Sequence, residues 1–346
     1  GLIIHRAHPL NGETSVPDLA GGAVMPNGRF YLRNHFDMPR LDAEHFRLAV
    51  DGLVDRPLDL SLRALRNLRS ESRVVTLECA GNGRSLFDPP VPGEVWGLGA
   101  VSTAEWTGAP LAEVLDRAGV RAEATDLWFR GADGGPIEGL DAPIRYERGL
   151  SLEQALQANA LLAYEMNGEP LSSPHGYPLR LIVPGWYAVA SVKWLTEITV
   201  TDRPFEGHYQ TDKYWYEWTR HGREEREPVS RMHVRSLIAE PDPGARVPCG
   251  ETAIRGVAWS GAGEISAVDV SLNDGPWRPA RLLGEARYGA WRWWELITRL
   301  EQTGPLEIRA RASDTAGHTQ PPSAEWNRLG YGNNSIHAVT AQVTAT

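Results

Sequence analysis

The sequence predicts an α+β domain followed by an immunoglobulin-like β-sandwich. The chain has 346 residues, of which 42% are hydrophobic, so it is long enough to bury the cores of two domains. Residues 30–203 mix strand-like runs with helical patterns and Pro/Gly turns, whereas strand-like runs without helices between them follow residue 229. We therefore predict domains at residues 1–228 and 229–346.

The first informative element is a strand that leads into a cysteine. Residues 74–77 (VVTL) are mostly β-branched and are bounded by polar residues, which predicts a strand. Cys79 follows this strand within residues 78–83 (ECAGNG). The small residues after Cys79 would let a bulky group approach the backbone closely.

Two helices are predicted in the same domain. Residues 111–118 carry apolar side chains at helical spacing and stop at Gly119, a residue type that commonly ends helices. Ser151 and Gln154 form a capping-box pattern at the start of the second helix. We interpret both helices as structural.

Residues 203–228 differ from what precedes them. They are rich in aromatic and charged residues and show no clear period. We interpret them as a long functional loop or linker.

The C-terminal part is predicted to be all β. Strand-like runs occupy residues 252–259, 267–272, 291–296 and 306–312, and the turn signal Asn273-Asp274-Gly275 separates two of them. This spacing, without an internal repeat, fits an immunoglobulin-like sandwich.

Composition excludes several classes of function. The formal net charge is −9 and no run of Lys or Arg stands out, which argues against nucleic acid as a partner. The charge suits a basic redox partner, although ordinary solubility explains it equally well. No apolar run approaches the roughly 18 residues of a membrane span, and no export signal is visible at the start.

The two cysteines are explained singly, because Cys79 and Cys249 lie far apart in different contexts. Cys249 precedes a sandwich strand, and we interpret it as structural. Cys79 offers a thiolate for a metal or for nucleophilic attack, and buried apolar filling is the plainer alternative. A zinc site would need about three or four ligands, and no Cys/His cluster is present. A protease pairing with His35 or His175 lacks any local signature.

A second cluster predicts an anion site. His175, Arg180 and Lys193 lie among Gly and Pro turns and apolar residues. One imidazole, one guanidinium and one ammonium in this arrangement suit a phosphate, whereas a solvated surface would not carry so many apolar neighbours.

Several motifs, in order along the chain, resemble the molybdenum domain of the sulfite oxidase family. They lie in residues 33–35 (RNH), 77–85, 99–106, 163–168 (AYEMNG), 175–180 and 191–195. The likeness covers nearly all of the chain and ends in a sandwich similar to the dimerisation domain of that family. It implies a molybdopterin-binding sulfite oxidase fold followed by this immunoglobulin-like domain, and a homodimer.

The resemblance also implies a cofactor and its site. The dithiolene of molybdopterin would supply two sulfurs to molybdenum, with Cys79 as the third. The residues that match positions binding the pterin and its phosphate are Asn34, His35, Asp133, His175, Arg180, Ser191 and Lys193. Those that match the substrate pocket are Arg33, Arg84, Trp96 and Tyr214. Paired arginines both orient and hold an oxyanion such as sulfite.

Three departures from the animal pattern leave the substrate open. Gly83 and Ala190 stand where the animal enzymes carry arginines. Leu329 replaces a pocket arginine, and Arg328 lies one place earlier. The expected reaction is oxidation of sulfite to sulfate. The alternatives are a related molybdenum oxotransferase that acts on nitrate or another sulfur compound, and an inactive scaffold.

The animal haem domain has no counterpart in these residues. Electrons are therefore expected to leave to a separate acceptor such as a cytochrome c. This haem-free organisation leads us to expect the periplasm, with the cytoplasm as the alternative.

Overall fold

The computed structural model of the chain describes residues 1–345. The strands of its first part are β1 (Ile3–Ala7), β2 (Leu10–Glu13), β3 (Arg47–Gly52), β4 (Leu58–Ser61), β5 (Glu71–Glu78), β6 (Val101–Pro110), β7 (Asp126–Gly135), β8 (Ile144–Ser151), β9 (Leu161–Met166), β10 (Glu169–Pro170), β11 (Arg180–Ile182), β12 (Leu195–Thr201), β13 (Trp215–Arg220) and β14 (Arg223–Pro228). The helices are α1 (Leu62–Arg66), α2 (Leu111–Ala118), α3 (Leu152–Gln157) and α4 (His208–Thr211). Short 3₁₀ turns occupy Pro17–Gly21, Asn27–Arg29, Arg84–Leu86, Ser173–His175 and Ala188–Ala190.

These strands form two larger sheets and two hairpins. One sheet has the order β10-β9-β6-β5, with β11 also on β9, and the other has the order β4-β3-β12-β7-β8. Strands β12 and β3 are parallel, and the remaining pairs of the two sheets are antiparallel. Apolar side chains from both sheets belong to one core cluster. The predicted α+β class is confirmed.

Both predicted helices are present. Helix α2 ends at Gly119, whose φ of +70° is left-handed and therefore favours glycine. Helix α3 begins at Ser151, whose hydroxyl accepts from the Gln154 N–H while the Gln154 side chain accepts from the Ser151 N–H. Local signals sufficed for both because each cap lies within a few residues of its helix.

The strand that leads to Cys79 is confirmed as β5. Its last residues are buried, and it is the edge strand of its sheet. The C-terminal part covers this edge, since the Thr76 N–H donates to the Gly289 carbonyl at 2.8 Å. The Thr76 hydroxyl accepts from the Trp291 N–H at 2.7 Å. A covered edge cannot pair with another chain.

The interpretation of residues 203–228 as a loop or linker is wrong for most of their length. Helix α4 and the hairpin β13–β14 occupy them, and the hairpin pairs from Trp215↔Pro228 to Arg220↔Arg223. His221 and Gly222 both have positive φ, as a tight two-residue hairpin turn requires. The signal was obscured because every residue of β14 is exposed, so no apolar alternation marks that strand.

The second part is a sandwich of two sheets. Its strands are β15 (Arg235–Glu240), β16 (Arg246–Pro248), β17 (Gly250–Trp259), β18 (Ile265–Leu272), β19 (Arg278–Pro279), β20 (Arg281–Leu283), β21 (Arg292–Leu300), β22 (Gly304–Asp314) and β23 (His337–Thr344). The sheet orders are β15-β17-β21-β20 and β16-β23-β22-β18-β19, and both sheets contribute to one apolar core. The predicted sandwich is confirmed, while the exact boundary after residue 228 stays a prediction.

The segment 326–333 leaves the sandwich and returns to the first part. The Trp326 indole donates to the Pro89 carbonyl at 2.9 Å, and Leu329 and Tyr331 join the core of the first part. The Gly332 N–H donates to the Ala80 carbonyl at 2.8 Å, directly after Cys79. The two parts therefore meet beside the predicted metal ligand. Within residues 1–345, no helix has the length and apolarity needed to cross a bilayer.

Candidate active site

Two neighbouring cavities meet at Cys79. Every residue predicted to bind the pterin or its phosphate lines the deeper one, the cofactor cavity, which Asn34, His35, Cys79, Asp133, His175, Arg180, Ser191 and Lys193 surround with apolar neighbours. Arg33, Arg84 and Tyr214 line the second, the substrate cavity, together with Leu329, Tyr331 and others. The structure thus brings together groups that are up to about 300 residues apart in sequence, as between Asn34 and Tyr331.

Cys79 lies at the end of β5, where the chain turns away from the sheet. Its N–H donates to the Ala100 carbonyl at 2.9 Å, and its carbonyl accepts from the Asn82 N–H at 2.9 Å. The side chain is buried and forms no disulfide. Burial raises the pKa of the thiol, and Arg33 and Arg84 oppose that shift. The two guanidinium groups therefore offset part of the cost of burying a thiolate at this position.

The cofactor cavity holds buried cations without carboxylate partners. Arg180 donates to the carbonyls of His175 and Ser191, and Lys193 donates to Asn34 Oδ1 and the Pro174 carbonyl. Burial lowers the pKa of Arg180 to about 10, and burial and then Arg180 lower the pKa of Lys193. Within residues 1–345 neither cation forms an ion pair. A buried cation is costly unless an anion accompanies it.

Neutral groups complete this cavity. The His175 ring contacts the Asn27 carbonyl through Nε2 at 3.0 Å, and burial lowers the pKa of the imidazole to about 4. Ser191 Oγ accepts from the Val183 N–H at 3.0 Å. The hydroxyl hydrogen of Ser191 thus remains available to a ligand oxygen.

Asp133 provides an acceptor in the same cofactor cavity. Its Oδ1 is buried without a hydrogen-bond partner among the described residues. Burial raises the pKa of the carboxyl, and Lys193 opposes the shift. A buried acceptor of this kind is suited to a ligand N–H group.

The substrate cavity presents two guanidinium groups. Arg33 donates to Asn34 O and is 3.5 Å from Asn11 Oδ1. Arg84 donates to the Glu94 carbonyl at 3.0 Å and the Leu329 carbonyl at 3.3 Å. Neither forms an ion pair within the described residues. Both can therefore bind an anion that enters beside Cys79.

Tyr214 connects the two cavities. Its hydroxyl lies 2.5 Å from His35 Nε2, and its ring stacks on Tyr331 at 5.1 Å. Burial raises the pKa of Tyr214, and burial and then Arg33 lower the pKa of His35. We infer that a neutral phenol donates to a neutral imidazole. Tyr214 also has a φ of +62°, a strained value for a bulky residue that often marks functional positions.

Trp96 is placed differently from the other predicted residues. It is fully buried and lines neither cavity, and its indole N–H has no partner among the described residues. Its ring lies edge-on to His5 at 5.1 Å, and its carbonyl accepts from the Ser85 N–H at 3.0 Å. In this structure Trp96 supports the turn that carries Arg84, and its contact with substrate stays a prediction.

Sequence analysis missed residues that line the site or lie directly behind it. Tyr331 lines the substrate cavity and lies under the Arg84 guanidinium at 5.1 Å. Arg148 is buried and lies 5.7 Å from the centre of the Tyr214 ring. The period-2 burial of Tyr146, Arg148 and Leu150 on β8 was a usable signal for Arg148. No local pattern marks Tyr331.

The structure shows where Arg328 and Leu329 lie relative to the substrate cavity. Arg328 is mostly exposed, and its Nε is 2.5 Å from Glu217 Oε2. It lines neither cavity, whereas Leu329 lines the substrate cavity. Arg328 therefore does not replace the missing pocket arginine.

Known proteins with similar sequences and structures agree with this geometry. The model of the oxidoreductase molybdopterin binding domain matches residues 35–209, and that of the Mo-co oxidoreductase dimerisation domain matches residues 226–344. Sulfite oxidase from Gallus gallus is 38% identical, covering 97% of this chain and 77% of that protein. Mitochondrial sulfite oxidase from Rattus norvegicus is 36% identical, covering 99% of this chain and 66% of that protein. The chain thus spans about two thirds of the rat relative.

A solved structure shows the same architecture. The sulfane dehydrogenase SoxCD from Paracoccus pantotrophus matches with a TM-score of 0.84 and 30% identity, covering 96% of this chain and 84% of that chain. The fold and site define a class of molybdopterin-binding oxidoreductases. Within that class, the chain belongs to the sulfite oxidase family. The predicted family, fold and cofactor are confirmed, and the dimerisation-domain match supports the predicted homodimer.

The residues present fit molybdopterin. The unpaired cations Arg180 and Lys193 suit its phosphate, the unpartnered Asp133 oxygen suits its ring N–H groups, and Cys79 supplies one thiolate. Within residues 1–345 no cluster of three or more His, Cys, Asp or Glu side chains could hold a metal. The ligands of the molybdenum other than Cys79 would therefore come from the pterin and from non-protein groups.

Proposed function

We propose that this chain oxidises sulfite to sulfate and passes the electrons to a separate acceptor. The observation that carries the proposal is the pair of guanidinium groups, Arg33 and Arg84, beside Cys79. Neither forms an ion pair within the described residues, and the carboxylate of Glu94, which also lines the cavity, pairs with Arg6 at 3.3 Å. Such a site favours a small oxyanion, because charge-assisted hydrogen bonds from two directions hold and orient it. The sulfite oxidases among the relatives support sulfite as that anion.

The roles of the residues follow from their places. When bound, molybdopterin supplies a molybdenum centre that transfers an oxygen atom and accepts two electrons. Arg33 and Arg84 bind the substrate oxygens. The Tyr214 hydroxyl and His35 Nε2, 2.5 Å apart, hold a proton next to the anion. The overall change, sulfite plus water to sulfate, releases two protons and two electrons. Because burial disfavours the charged forms of both Tyr214 and His35, this pair keeps the one proton it shares, and the two released protons leave to solvent.

The electron acceptor is proposed to be a cytochrome c. The chain has a net charge of −9, which suits a partner with a basic surface. We propose that the chain and this electron acceptor meet in the periplasm. Fractionation of the native organism with an antibody against the chain would test the compartment, and recovery only in the cytoplasm would contradict it.

A second substrate class has support from two residues. Leu329 and Ile137 give the substrate cavity apolar walls, so a larger reduced sulfur compound is the second candidate. The matched sulfane dehydrogenase is consistent with this alternative.

One experiment distinguishes these candidate functions. Purified chain with measured molybdenum content is assayed for reduction of cytochrome c or a dye with sulfite or thiosulfate, and for oxidation of a reduced dye with nitrate. We expect the highest kcat/KM with sulfite. Turnover with thiosulfate alone would favour the larger sulfur compound, and turnover with nitrate alone would favour a reductive enzyme. Full molybdenum loading without any turnover would contradict all of them.

A further inference from the structure

A deeply buried ion pair joins the two parts of the molecule next to the metal ligand. Arg235 Nη1 and Glu78 Oε1 are 3.0 Å apart, and each residue is 1% exposed. Glu78 immediately precedes Cys79, whereas Arg235 is the first residue of β15 in the second part. In the portion of the chain that the structure describes, no other ion pair has both side chains buried to this degree.

Both oxygens of the Glu78 carboxylate are hydrogen-bonded. Oε2 accepts from the indole N–H of Trp259 at 2.8 Å, and Trp259 is the last residue of β17. Oε1 accepts from Arg235 and from Asn82 Nδ2 at 3.0 Å. Asn82 Oδ1 in turn accepts from the Ala100 N–H at 3.1 Å. The carboxylate therefore links two donors of the second part to the turn that follows Cys79.

The second part also holds the backbone of that turn. Arg235 donates to the Asn82 carbonyl at 3.2 Å, and Asn333 Nδ2 donates to the Gly83 carbonyl at 3.1 Å. The Ala80 carbonyl accepts from the segment 326–333, as described above. Each of these carbonyls, between Cys79 and Arg84, is thus anchored by a residue from beyond position 229. These hydrogen bonds restrict rotation of the turn, and therefore of Cys79, relative to the cofactor cavity.

We propose that Glu78, Arg235 and Trp259 are positioning residues that set the direction of the Cys79 thiolate, so that the second part completes the metal site of its own chain. The proposal rests on Cys79 as the metal ligand and is independent of the substrate. Buried ion pairs add little stability over apolar replacements, so stability alone does not account for this one. Hydrogen bonds beyond the ligands orient them and tune the metal.

A pair of tryptophan variants tests the proposal. Trp259 and Trp291 are both buried residues of the second part, and each indole donates one hydrogen bond to the first part, to Glu78 and to the Ala23 carbonyl respectively. Trp259→Phe and Trp291→Phe therefore each remove one indole hydrogen bond between the two parts, the first to a carboxylate and the second to a backbone carbonyl. The measurements are melting temperature, molybdenum per chain, the thiolate-to-molybdenum absorption band and the split between kcat and KM.

We expect only Trp259→Phe to shift the absorption band and to lower molybdenum retention or kcat, by about tenfold, with KM nearly unchanged. Trp291→Phe should lower the melting temperature and leave the band in place. A wild-type band and kcat in Trp259→Phe, or the same changes in both variants, would overturn the proposal.

Variants of the ion pair between Glu78 and Arg235 provide a second test of the proposal. Glu78→Gln and Arg235→Gln each leave one buried charge unpaired, and both should shift the band and reduce molybdenum content. The double variant pairs two amides and should recover toward wild type in both readouts. Additive losses in the double variant would contradict coupling through this pair. If a single variant does not fold, the Trp259 comparison decides. Band and metal content do not depend on the substrate, so a failed sulfite assay would leave this result standing.

Discussion

The cofactor cavity and the sandwich core bury polar groups in opposite ways. In the sandwich, Ser260 pairs with Asp314 at 2.7 Å, and the Gln320 amide oxygen accepts from the N–H groups of Ser236 and Ala312. Around the cofactor cavity, Lys193 and Arg180 are buried without an ion pair, and an Asp133 oxygen has no partner among the described residues. The difference shows that these polar groups of the sandwich are satisfied by their neighbours in the chain, whereas the cavity is built for a charged ligand.

The largest effect is expected from removing the predicted metal ligand, Cys79. Cys79→Ser should abolish turnover while the protein folds and melts as the wild type, because a hydroxyl is a poor replacement for a soft thiolate on molybdenum. Cys249→Ser is the matched control, since Cys249 is a half-buried free thiol beside the sandwich core. Activity, molybdenum content and thermal melting would be measured. Full turnover in Cys79→Ser would rule out Cys79 as a ligand of molybdenum.

Removing a buried cation from the cofactor cavity and removing a buried amide from the sandwich should change the free energy of unfolding in opposite directions. Lys193→Met removes a buried ammonium, so cofactor retention should fall roughly tenfold or more while the cofactor-free chain gains about 1 kcal/mol in free energy of unfolding. Gln320→Leu in the sandwich leaves buried N–H groups unsatisfied and should lose about 1–3 kcal/mol without altering cofactor retention. Denaturant unfolding of cofactor-free protein measures both. A destabilised Lys193→Met chain would show that the ammonium is already compensated.

A smaller effect is expected from the hydroxyl of Tyr214. Tyr214→Phe keeps the stacking on Tyr331 but loses the hydroxyl, so kcat or KM should worsen by roughly tenfold with nearly unchanged melting. Tyr216→Phe is a control from the same hairpin, because Tyr216 lines neither cavity of the site. Steady-state assays at matched molybdenum content provide the measurement. Unchanged kinetics would leave Tyr214 with a packing role only.

The last prediction concerns how the free energy of unfolding changes with pH through one histidine of the sandwich. His337 Nδ1 accepts from the Ile238 N–H at 3.0 Å, and burial, then Arg235, lowers the pKa of the imidazole to about 4. Between about pH 6.5 and 4 the unfolded chain binds a proton that the folded chain does not. The free energy of unfolding should therefore decrease as the pH is lowered, by at most about 1.4 kcal/mol per pH unit.

His337→Asn keeps an acceptor at this position and removes the titration. Its free energy of unfolding should therefore vary less over the same pH range than that of the wild type. The exposed His45 gives a control, and His45→Gln should follow the wild-type curve. Identical pH profiles for His337→Asn and wild type would show that another group is responsible.

The parts of the fold that could be predicted are those with local signals. The capping box at Ser151, the left-handed Gly119 and the strand before Cys79 each lie within a few residues of what they specify. The hairpin of residues 215–228 was missed because its second strand is wholly exposed and therefore has no apolar period. Arg148 was missed although alternation on β8 marks it as buried.

The sequence by itself determined the family and the α+β domain with its sandwich, because ordered motifs and local periods carry that information. It also predicted Cys79 as the thiolate that binds the metal. Only the tertiary structure decided that Tyr331 lies under Arg84, that Arg328 pairs with Glu217 instead of entering the site, and that Glu78 meets Arg235. These pairings join residues more than 100 positions apart. Their formation depends on how the two parts pack, and no local pattern of residues encodes that packing.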